Sequence, residues 1–213
     1  MGKLIVIEGI DGSGKSTQFQ LLTERLEREA RAFQTVRFPR YDRDSSVLVR
    51  QYLAGDFGTK PNDVNAYAAS AFFAVDRFAS YKTEPWGAYY DADGAVLTDR
   101  YTTSNAIHQG AKMQPKQREK FFRWLDNFEF TEMKLPRPDV VIYLKITAAQ
   151  SLDRIHNREG VEDIHERDGE YLKNCADCAD SAAEVLGWTT INAMQSVEEI
   201  HEEIYKTVRR LFE

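Results

Sequence analysis

The most chemically informative segment is a glycine-rich run near the N-terminus, directly after a short apolar stretch. The run Gly9-Ile10-Asp11-Gly12-Ser13-Gly14-Lys15-Ser16 fits the pattern GxxxxGK[ST]. Its glycines let the backbone turn tightly, so that successive N–H groups can point at phosphate oxygens. In this pattern the lysine reaches the β- and γ-phosphates of a nucleotide and the serine binds magnesium. The sequence therefore predicts an ATP site formed by this run and Thr17, with Lys15 and Ser16 in those two roles.

A glycine-rich turn before an ordinary helix is the competing interpretation of this run. The surrounding sequence argues against it, because an apolar strand pattern at 4–7 precedes the run and a helical pattern at 15–31 follows it. The partial positive charge of a helix N-terminus would add to an anion site there. A phosphate loop alone does not separate a kinase from a GTPase switch or a motor ATPase. The sequence contains no Asn-Lys-x-Asp motif, which argues against a GTPase.

Four further clusters of aromatic and charged residues follow predicted strands or lie on helices that overhang them. They are Phe38-Pro39-Arg40-Tyr41, Phe73 with Arg77, Asp99-Arg100-Tyr101, and Ser104-Asn105. Ligands of open α/β sheets bind outside the carboxyl ends of the strands. The mixture of aromatic rings and arginines predicts a pocket for an aromatic base and a phosphate.

Each cluster also has a purely structural interpretation. Phe73 could be a core aromatic residue, since helix faces of Ala, Phe and Val are usually buried. Arg77 could form a surface ion pair next to Asp76. Arg40 and Tyr41 could belong to a solvated charged loop.

Over nearly its whole length the chain resembles the thymidylate kinases. The segments that carry the resemblance occur in the family's order and spacing: Glu8-Gly9-Ile10-Asp11-Gly12, the FPRY segment, Phe73-Ala74-Val75-Asp76-Arg77, and Asp99-Arg100-Tyr101 with Ser104-Asn105. The resemblance implies transfer of the γ-phosphate of ATP to thymidine monophosphate, magnesium as the metal cofactor, and a homodimer. The alternatives are another nucleoside monophosphate kinase, a deoxynucleoside kinase, or a nucleotide-binding switch without catalysis.

The resemblance also implies roles for individual residues. Phe73 would stack on thymine, Arg77 would hydrogen-bond a base carbonyl, and Asn105 would help to read the base edge. Arg40, Tyr41 and Arg100 would line the monophosphate region, and Asp11 would lie near the sugar and phosphate and help to position magnesium. The expected magnesium ligands are Ser16, Asp11 and Asp99, and the expected acceptor-binding residues are Phe38, Arg40, Tyr41, Phe73, Arg77, Asp99, Arg100, Ser104, Asn105 and His108.

His108 departs from the Phe or Tyr that members of the family commonly place close to the deoxyribose. His108 therefore leaves open whether the site discriminates against acceptors that carry a 2′-hydroxyl on the sugar. A surface residue on a helix is the alternative interpretation of His108.

The expected phosphate transfer requires positive charge at the site more than it requires a general base. A phosphate oxygen of the acceptor is already largely deprotonated near neutral pH, since its second pKa is about 6. The repulsion between two phosphate chains must be neutralised, and the predicted catalytic residues are Lys15, Arg100, Asp11 and an arginine of a lid at 153–169. Arg158 is the first choice for this arginine because it precedes Glu159-Gly160. Arg154 and Arg167 are alternatives, and each of the three could simply be a charged surface residue.

The elements that must position these residues follow from hydrophobic periodicity. Short β-branched runs alternate with longer helical stretches, which predicts an α/β, three-layer P-loop NTPase fold with a five-stranded parallel sheet. The predicted strands are 4–7, 34–38, 95–98, 140–144 and 188–192. The predicted helices are 15–31, 45–54, 62–81, 115–130 and 197–211. Residues 1–213 read as one kinase domain with a small lid.

Composition limits the remaining possibilities. The chain has 213 residues, 42% of them hydrophobic, and no apolar run approaches the length of about 20 residues that spans a bilayer. A net charge of −6 argues against binding to nucleic acid polymers. We expect a cytoplasmic protein that binds small molecules and no membrane. Cys175 and Cys178 form a single CxxC inside a helical pattern, which favours reduced structural thiols over a metal site.

Overall fold

The computed structural model describes residues 2–156 and 169–212, and its centre is a parallel β-sheet. The strands are β1 (Lys3–Glu8), β2 (Gln34–Arg37), β3 (Ala95–Asp99), β4 (Val140–Lys145) and β5 (Thr189–Asn192). Their order in the sheet is β2-β3-β1-β4-β5, and every pairing is parallel. The register places Asp99 opposite Ile7. The carboxyl ends of β1 and β3 therefore meet at one edge, and the predicted five-stranded parallel sheet is confirmed.

Helices cover both faces of the sheet. In the described ranges they are α1 (Lys15–Arg28), α2 (Val47–Ala54), α3 (Ala66–Thr83), α4 (Pro85–Asp91), α5 (Thr102–His108), α6 (Pro115–Asp126), α7 (Ala148–His156), α8 (Gly169–Leu186) and α9 (Val197–Val208). Side chains alternate between the two faces of a strand. Ile5 and Ile7 pack in one core with α1, α8 and α9, whereas Leu4 and Val6 pack in a second core with Trp86 of α4. This gives the three layers that the alternation of patterns predicted.

Several predicted helix boundaries were wrong, and each error has a local cause. Helix α1 ends at Arg28 because Ala30 adopts a left-handed conformation with φ 53°. Helix α3 begins only at Ala66, where the side chain of Asn65 caps the first turn by accepting from the Ala68 N–H. The predicted helix 115–130 ends at Asp126 and continues as a π-helical turn, Asn127–Glu132. Short 3₁₀ turns occupy Asp44–Ser46, Pro61–Asp63, Gly110–Lys112 and Arg209–Leu211, partly inside predicted helices.

Four helices were missing from the predicted set. Helices α4 and α5 have only seven residues each, too few for a clear helical period. Helix α8 contains the CxxC segment that the pattern indicated as helical. Helix α7 covers 153–156, the first residues of the predicted lid, so that segment begins as a helix. Residues 157–168 of the predicted lid, with Arg158 and Arg167, lie outside the described residues.

The two cysteines are packing residues of α8. Both thiols are free and fully buried in the core, and burial raises the pKa of Cys178 to about 12. The prediction of reduced structural thiols is confirmed to that extent. None of the helices within the described ranges is long and apolar enough to cross a bilayer.

Candidate nucleotide-binding site

The glycine-rich loop lies between β1 and α1, and its glycines are required by geometry. Gly12 and Gly14 have φ values of 75° and 90°, a region that residues with a Cβ rarely adopt. A Cβ added to Gly9 would lie 2.5 Å from the Ser13 Oγ and 2.9 Å from the Leu144 carbonyl oxygen. The loop is therefore a tightly folded cradle rather than a replaceable turn.

Lys15 folds over this cradle. Its Nζ donates to the carbonyl oxygens of Gly9 at 2.8 Å and Ile10 at 2.9 Å, and lies 4.0 Å from the Asp11 Oδ1. Burial, with a smaller contribution from the positive charge of Arg100, lowers the pKa of Lys15 to about 8. The carboxylates of Asp11, Glu8 and Asp99 favour its charged form against this burial, and a buried ammonium at the loop is well placed to bind a phosphate chain.

The N-terminus of α1 adds backbone donors. Gly14 is the N-cap residue and supplies no side-chain cap, and the first turn carries no acidic residue. The leading N–H groups of a helix with these features attract anions. Ser16 and Thr17 lie exposed on the same turn. Residues 9–17 thus have a geometry that suits a phosphate site.

Arg100 connects the cradle to the neighbouring strand. It follows β3 with φ 68°, an uncommon and strained conformation for a residue with a long side chain. Its Nη2 contacts the Asp11 Oδ1, and its Nη1 lies 3.1 Å from the His108 Nε2. Because strained backbone often marks functional positions, this contact between loop and strand is a candidate for chemistry.

Glu8 stands out in the sequence only as the first residue of the segment Glu8–Gly12, but its contacts in the structure make it a functional candidate. Its carboxylate is fully buried and accepts from the Gly9 N–H at 2.9 Å and from the hydroxyls of Thr103 and Ser104 at 2.7 Å each. These bonds tie the first turn of α5 to the glycine-rich loop. Ser104 is thus placed as a support of the loop through Glu8.

Asp99 offers the best test of whether the site fits a metal ion. Its Oδ1 is buried and has no hydrogen-bond partner within the described ranges. Unpaired buried carboxylate oxygens are costly, and a hard cation would satisfy this one. Asp99 ends β3 opposite Ile7, and its negative charge favours the protonated forms of Lys15 and Arg100. Magnesium commonly uses one or two protein carboxylates together with substrate phosphates, so this donor set fits it.

Arg77 and Glu129 form a second cluster beside α5. Glu129 accepts from the Arg77 Nε at 2.7 Å and its Nη2 at 2.6 Å, and both side chains are almost fully buried. Thr102 and Asn105 also donate to the same carboxylate, at 2.8 Å and 3.3 Å. Arg77 therefore does not form the surface ion pair with Asp76 that its sequence neighbour suggested. No pattern in the sequence identified Glu129.

Arg40 is bound to carboxylates rather than lying in a solvated loop. Its Nε and Nη2 donate to the Asp76 Oδ1, and its Nη1 lies 2.7 Å from Glu84. Asp76 also accepts the Arg40 backbone N–H at 2.9 Å. The FPRY segment is thereby fastened to α3. Neither carboxylate was recognised from the sequence as a partner of Arg40.

The aromatic candidates occupy different environments. Phe38 is buried in the core against Tyr101 and Trp86, whereas Tyr41 is 55% exposed. Phe73 is half-buried on α3 and meets the ring of Tyr52 edge-on, with centroids 6.2 Å apart. Phe73 can therefore offer part of its ring to a ligand, whereas Phe38 is a core residue.

Arg154 is the one predicted lid arginine inside the described ranges. It lies on α7 and donates to the carbonyl oxygen of Gly12 at 3.0 Å and that of Ala193 at 3.3 Å. Ser151, on the same helix, donates to the Asp11 carbonyl oxygen at 2.6 Å. Helix α7 thus packs against the outer side of the glycine-rich loop.

Comparison with known proteins agrees with this geometry. The family model described as thymidylate kinase matches residues 7–204. A thymidylate kinase of Mycobacterium tuberculosis is 31% identical over 200 residues, which covers 89% of this chain and 91% of that protein. The human thymidylate kinase is 30% identical over 208 residues, covering 95% and 88%, and a probable thymidylate kinase of Pyrococcus abyssi is 29% identical over 211 residues, covering 98% and 96%. The glycine-rich loop, the strand-end arginine and these matches lead to one conclusion: the chain belongs to the thymidylate kinase family.

Proposed function

We propose that the protein transfers the γ-phosphate of ATP to thymidine monophosphate, giving ADP and thymidine diphosphate. The observation that carries this proposal is the position of Arg100. It contacts Asp11 of the phosphate loop on one side and His108 of α5 on the other. One cation thus lies between the phosphate loop and α5, where a transferred phosphate would need it.

The reaction in this site is governed by electrostatics. Two like unit charges 4 Å apart repel by about 4 kcal/mol at an effective dielectric constant near 20, and both substrates carry more than one charge. Lys15 would bind the β- and γ-phosphates, and Arg100 would bind the acceptor phosphate. Since the acceptor oxygen is already ionised near neutral pH, the protein needs to align and neutralise the groups rather than remove a proton.

The base of the acceptor would lie against α3. Phe73 would stack on the ring, and Arg77 would donate to a carbonyl of the base. The bidentate bond to Glu129 fixes the plane of the Arg77 guanidinium before any ligand arrives. Asn105 donates to the Ser70 carbonyl oxygen at 3.2 Å, which holds its amide at the interface of α5 and α3. Such preorganised polar groups favour selective binding of one base.

Magnesium would be bound through Ser16, Asp11 and Asp99 together with phosphate oxygens. The ion would supply charge neutralisation on the transferring phosphate. The unpaired Oδ1 of Asp99 supports this assignment. Asp11 is shared with Arg100 and with Lys15, so it would orient both cations as well.

A lid at 153–169, with Arg158 as its catalytic arginine, is also part of the proposal. Helix α7 includes the first residues of this segment and α8 begins at its last residue, Gly169, which brings both of its ends close to the phosphate loop and to α5. Closure would exclude water and limit hydrolysis of ATP. Residues 1–213 would form a single kinase domain that includes this lid.

A homodimer and a cytoplasmic location complete the proposal. Three large apolar side chains of α3, Tyr67, Val75 and Phe78, are each more than a third exposed. They recur at intervals of eight and three residues, which places them along one side of the helix. Exposed apolar stripes of this kind favour contact with another protein surface. A second copy of this chain would cover the stripe.

An assay of ADP release with a panel of monophosphates tests the activity. We expect thymidine monophosphate to be the best acceptor in the presence of ATP and magnesium. Lys15→Ala and Arg100→Ala should each lower the rate by at least about tenfold. A clear preference for uridine, cytidine or guanosine monophosphate would contradict the assignment, and a preference for thymidine itself would indicate a deoxynucleoside kinase. Nucleotide binding without turnover on any acceptor would indicate a switch.

A further inference from the structure

His108 lies at the junction of three elements around Arg100. It ends α5, and its Nε2 lies 3.1 Å from the Arg100 Nη1. On the other side of the ring, the Nδ1 lies 3.7 Å from the Cys175 Sγ of α8. The backbone oxygen of His108 accepts from the Tyr171 hydroxyl, also on α8, at 2.6 Å. Both the ring and the backbone of this residue are thus fixed by contacts.

The contact with Arg100 determines which ring nitrogen carries the proton. A guanidinium group has only donors, so the Nε2 facing it must accept. The proton of a neutral imidazole then resides on Nδ1, directed at the Cys175 sulfur, a weak acceptor. A doubly protonated ring would set two cations 3.1 Å apart in a buried site. Burial accordingly lowers the pKa of His108 to about 3, so the ring stays neutral.

We propose that His108 is a positioning residue for the acceptor phosphate: its neutral Nδ1–H tautomer accepts from Arg100 and holds the guanidinium in line with the phosphate loop. The proposal rests on the proposed function of Arg100 and adds a role for a residue that would otherwise only line the sugar region. It concerns the orientation of Arg100 and not direct contact with the reacting atoms.

A neutral acceptor suits this task better than a carboxylate. Arg100 already contacts Asp11 through Nη2, and Glu8 lies 4.0 Å from its Nη1. A third carboxylate would cancel the positive charge that the acceptor phosphate needs. The imidazole orients the Nη1 side of the guanidinium without adding negative charge. It also keeps Arg100 from turning toward Glu8, the nearest competing acceptor on that side.

The strained backbone of Arg100 makes this support important. A residue at φ 68° is stable there only when its surroundings determine its position. Asp11 of the phosphate loop and His108 of α5 both contact the guanidinium, and contacts with α8 fix His108. Loss of the Nε2 acceptor should therefore leave Arg100 held by Asp11 through Nη2 and free to turn its Nη1 toward Glu8.

Paired variants of His108 test the proposal with the full-length protein. His108→Phe keeps a planar ring and removes the acceptor, whereas His108→Gln replaces the ring with an amide whose oxygen can reach the former Nε2 position. We expect His108→Phe to weaken binding of thymidine monophosphate by about tenfold, and His108→Gln to restore most of that loss. For His108→Phe, the loss for thymidine monophosphate should clearly exceed any change for thymidine, which shares the sugar but has no phosphate. Calorimetry with each ligand measures both effects.

Equal losses for thymidine and its monophosphate, or equal behaviour of the Phe and Gln variants, would overturn the positioning role. A second measurement needs no variant: nitrogen NMR of the wild-type protein labelled at histidine should show Nε2 unprotonated and Nδ1 protonated in the signal that His108→Gln removes. A protonated Nε2 would also overturn the proposal. Failure of the wild-type protein to bind thymidine monophosphate would instead refute the proposed function, and the NMR result would still decide the tautomer.

Discussion

Arg77 of α3 and Glu129 of the π-helical turn form a bidentate ion pair in the protein interior, with nitrogen–oxygen distances of 2.7 Å and 2.6 Å. Glu129 is fully buried and Arg77 is 1% exposed. Thr102 and Asn105 of α5 donate to the same carboxylate. A single carboxylate therefore fixes the arginine and the amide that we assign to reading the base.

Glu129→Gln should destabilise the protein strongly. The substitution preserves size but removes the negative charge and turns one acceptor into a donor facing Arg77. Breaking a buried pair by changing one partner costs about 3 kcal/mol or more. Equilibrium unfolding in urea measures the loss. Glu132→Gln, in the same turn but exposed, is the matched control and should change the free energy of unfolding by less than about 1 kcal/mol. Similar values for the two variants would show that Glu129 is not compensating a buried charge.

The fold was predictable because its signals are local. The buried strands β1, β3 and β4 are short and mostly apolar runs. The glycine-rich loop marks the junction of β1 and α1 within eight consecutive residues. The boundaries that failed depend on single residues, such as the left-handed Ala30, or on a π-helical turn that shifts the helical phase after Asp126. Periodicity over a window of residues averages out such events.

The partners of the site arginines were not predictable, because they are distant in sequence. Arg77 pairs with a residue 52 positions away, and Arg40 pairs with one 36 positions away. A charged residue in a sequence has many possible partners, and only the packing of α3 against α5 and the FPRY segment selects one. The sequence could therefore indicate that arginines gather at the strand ends, but not that buried carboxylates orient them.

Asp76→Asn should weaken the acceptor site selectively. The change removes the charge that Arg40 and its backbone N–H bind, so the FPRY segment loses its attachment to α3. We expect the KM for thymidine monophosphate to rise by about tenfold while the KM for ATP stays within about twofold. Asp42→Asn, at an exposed carboxylate of the neighbouring loop, is the control and should alter neither value. Parallel increases in both KM values after Asp76→Asn would mean that the FPRY segment also supports the ATP site.

Nucleotide binding should take up a proton at Lys15. The pKa of this amine is lowered to about 8 in the protein, and a bound phosphate chain raises it. Above about pH 8 the free amine is partly neutral, so binding of ADP recruits a proton and affinity falls as the pH rises. Below about pH 7 the amine is already charged, and Lys15 contributes no uptake. The phosphates of ADP are themselves fully ionised at the higher pH, since their last pKa is near 6.

Calorimetry with ADP in buffers of different ionisation enthalpy measures this uptake. Lys112→Met is the control. Lys112 is a partly buried amine whose pKa is lowered by burial to about 7, and it donates to the Tyr52 hydroxyl and the Val64 carbonyl oxygen, away from the loop. This variant should retain the uptake at about pH 8.5. No net uptake by the wild-type protein at that pH would show that Lys15 is fully charged before nucleotide binds.

Val75→Glu should disrupt a homodimer formed through α3. The side chain of Val75 is 49% exposed in the apolar stripe, and a carboxylate there would be buried without a partner in the interface. Light scattering after size-exclusion chromatography should give a dimer mass for the wild-type protein and a monomer mass for the variant. Val185→Glu on α8 changes a side chain of equal exposure and should leave the dimer intact. A dimer that survives Val75→Glu would place the interface elsewhere.

Substitutions of Arg154 and Arg158 should affect different kinetic constants. Arg154 donates to the carbonyl oxygens of Gly12 and Ala193, so Arg154→Ala loosens the loop and should raise the KM for ATP. Arg158, which lies outside the described residues, is the proposed lid arginine, and Arg158→Ala should lower kcat by at least about tenfold with little change in the KM for the acceptor. Steady-state kinetics with both substrates varied separates these effects. If Arg154→Ala lowers kcat and Arg158→Ala does not, then the catalytic arginine is the one that packs against Gly12, and closure of a lid is not needed to supply positive charge to the transferring phosphate.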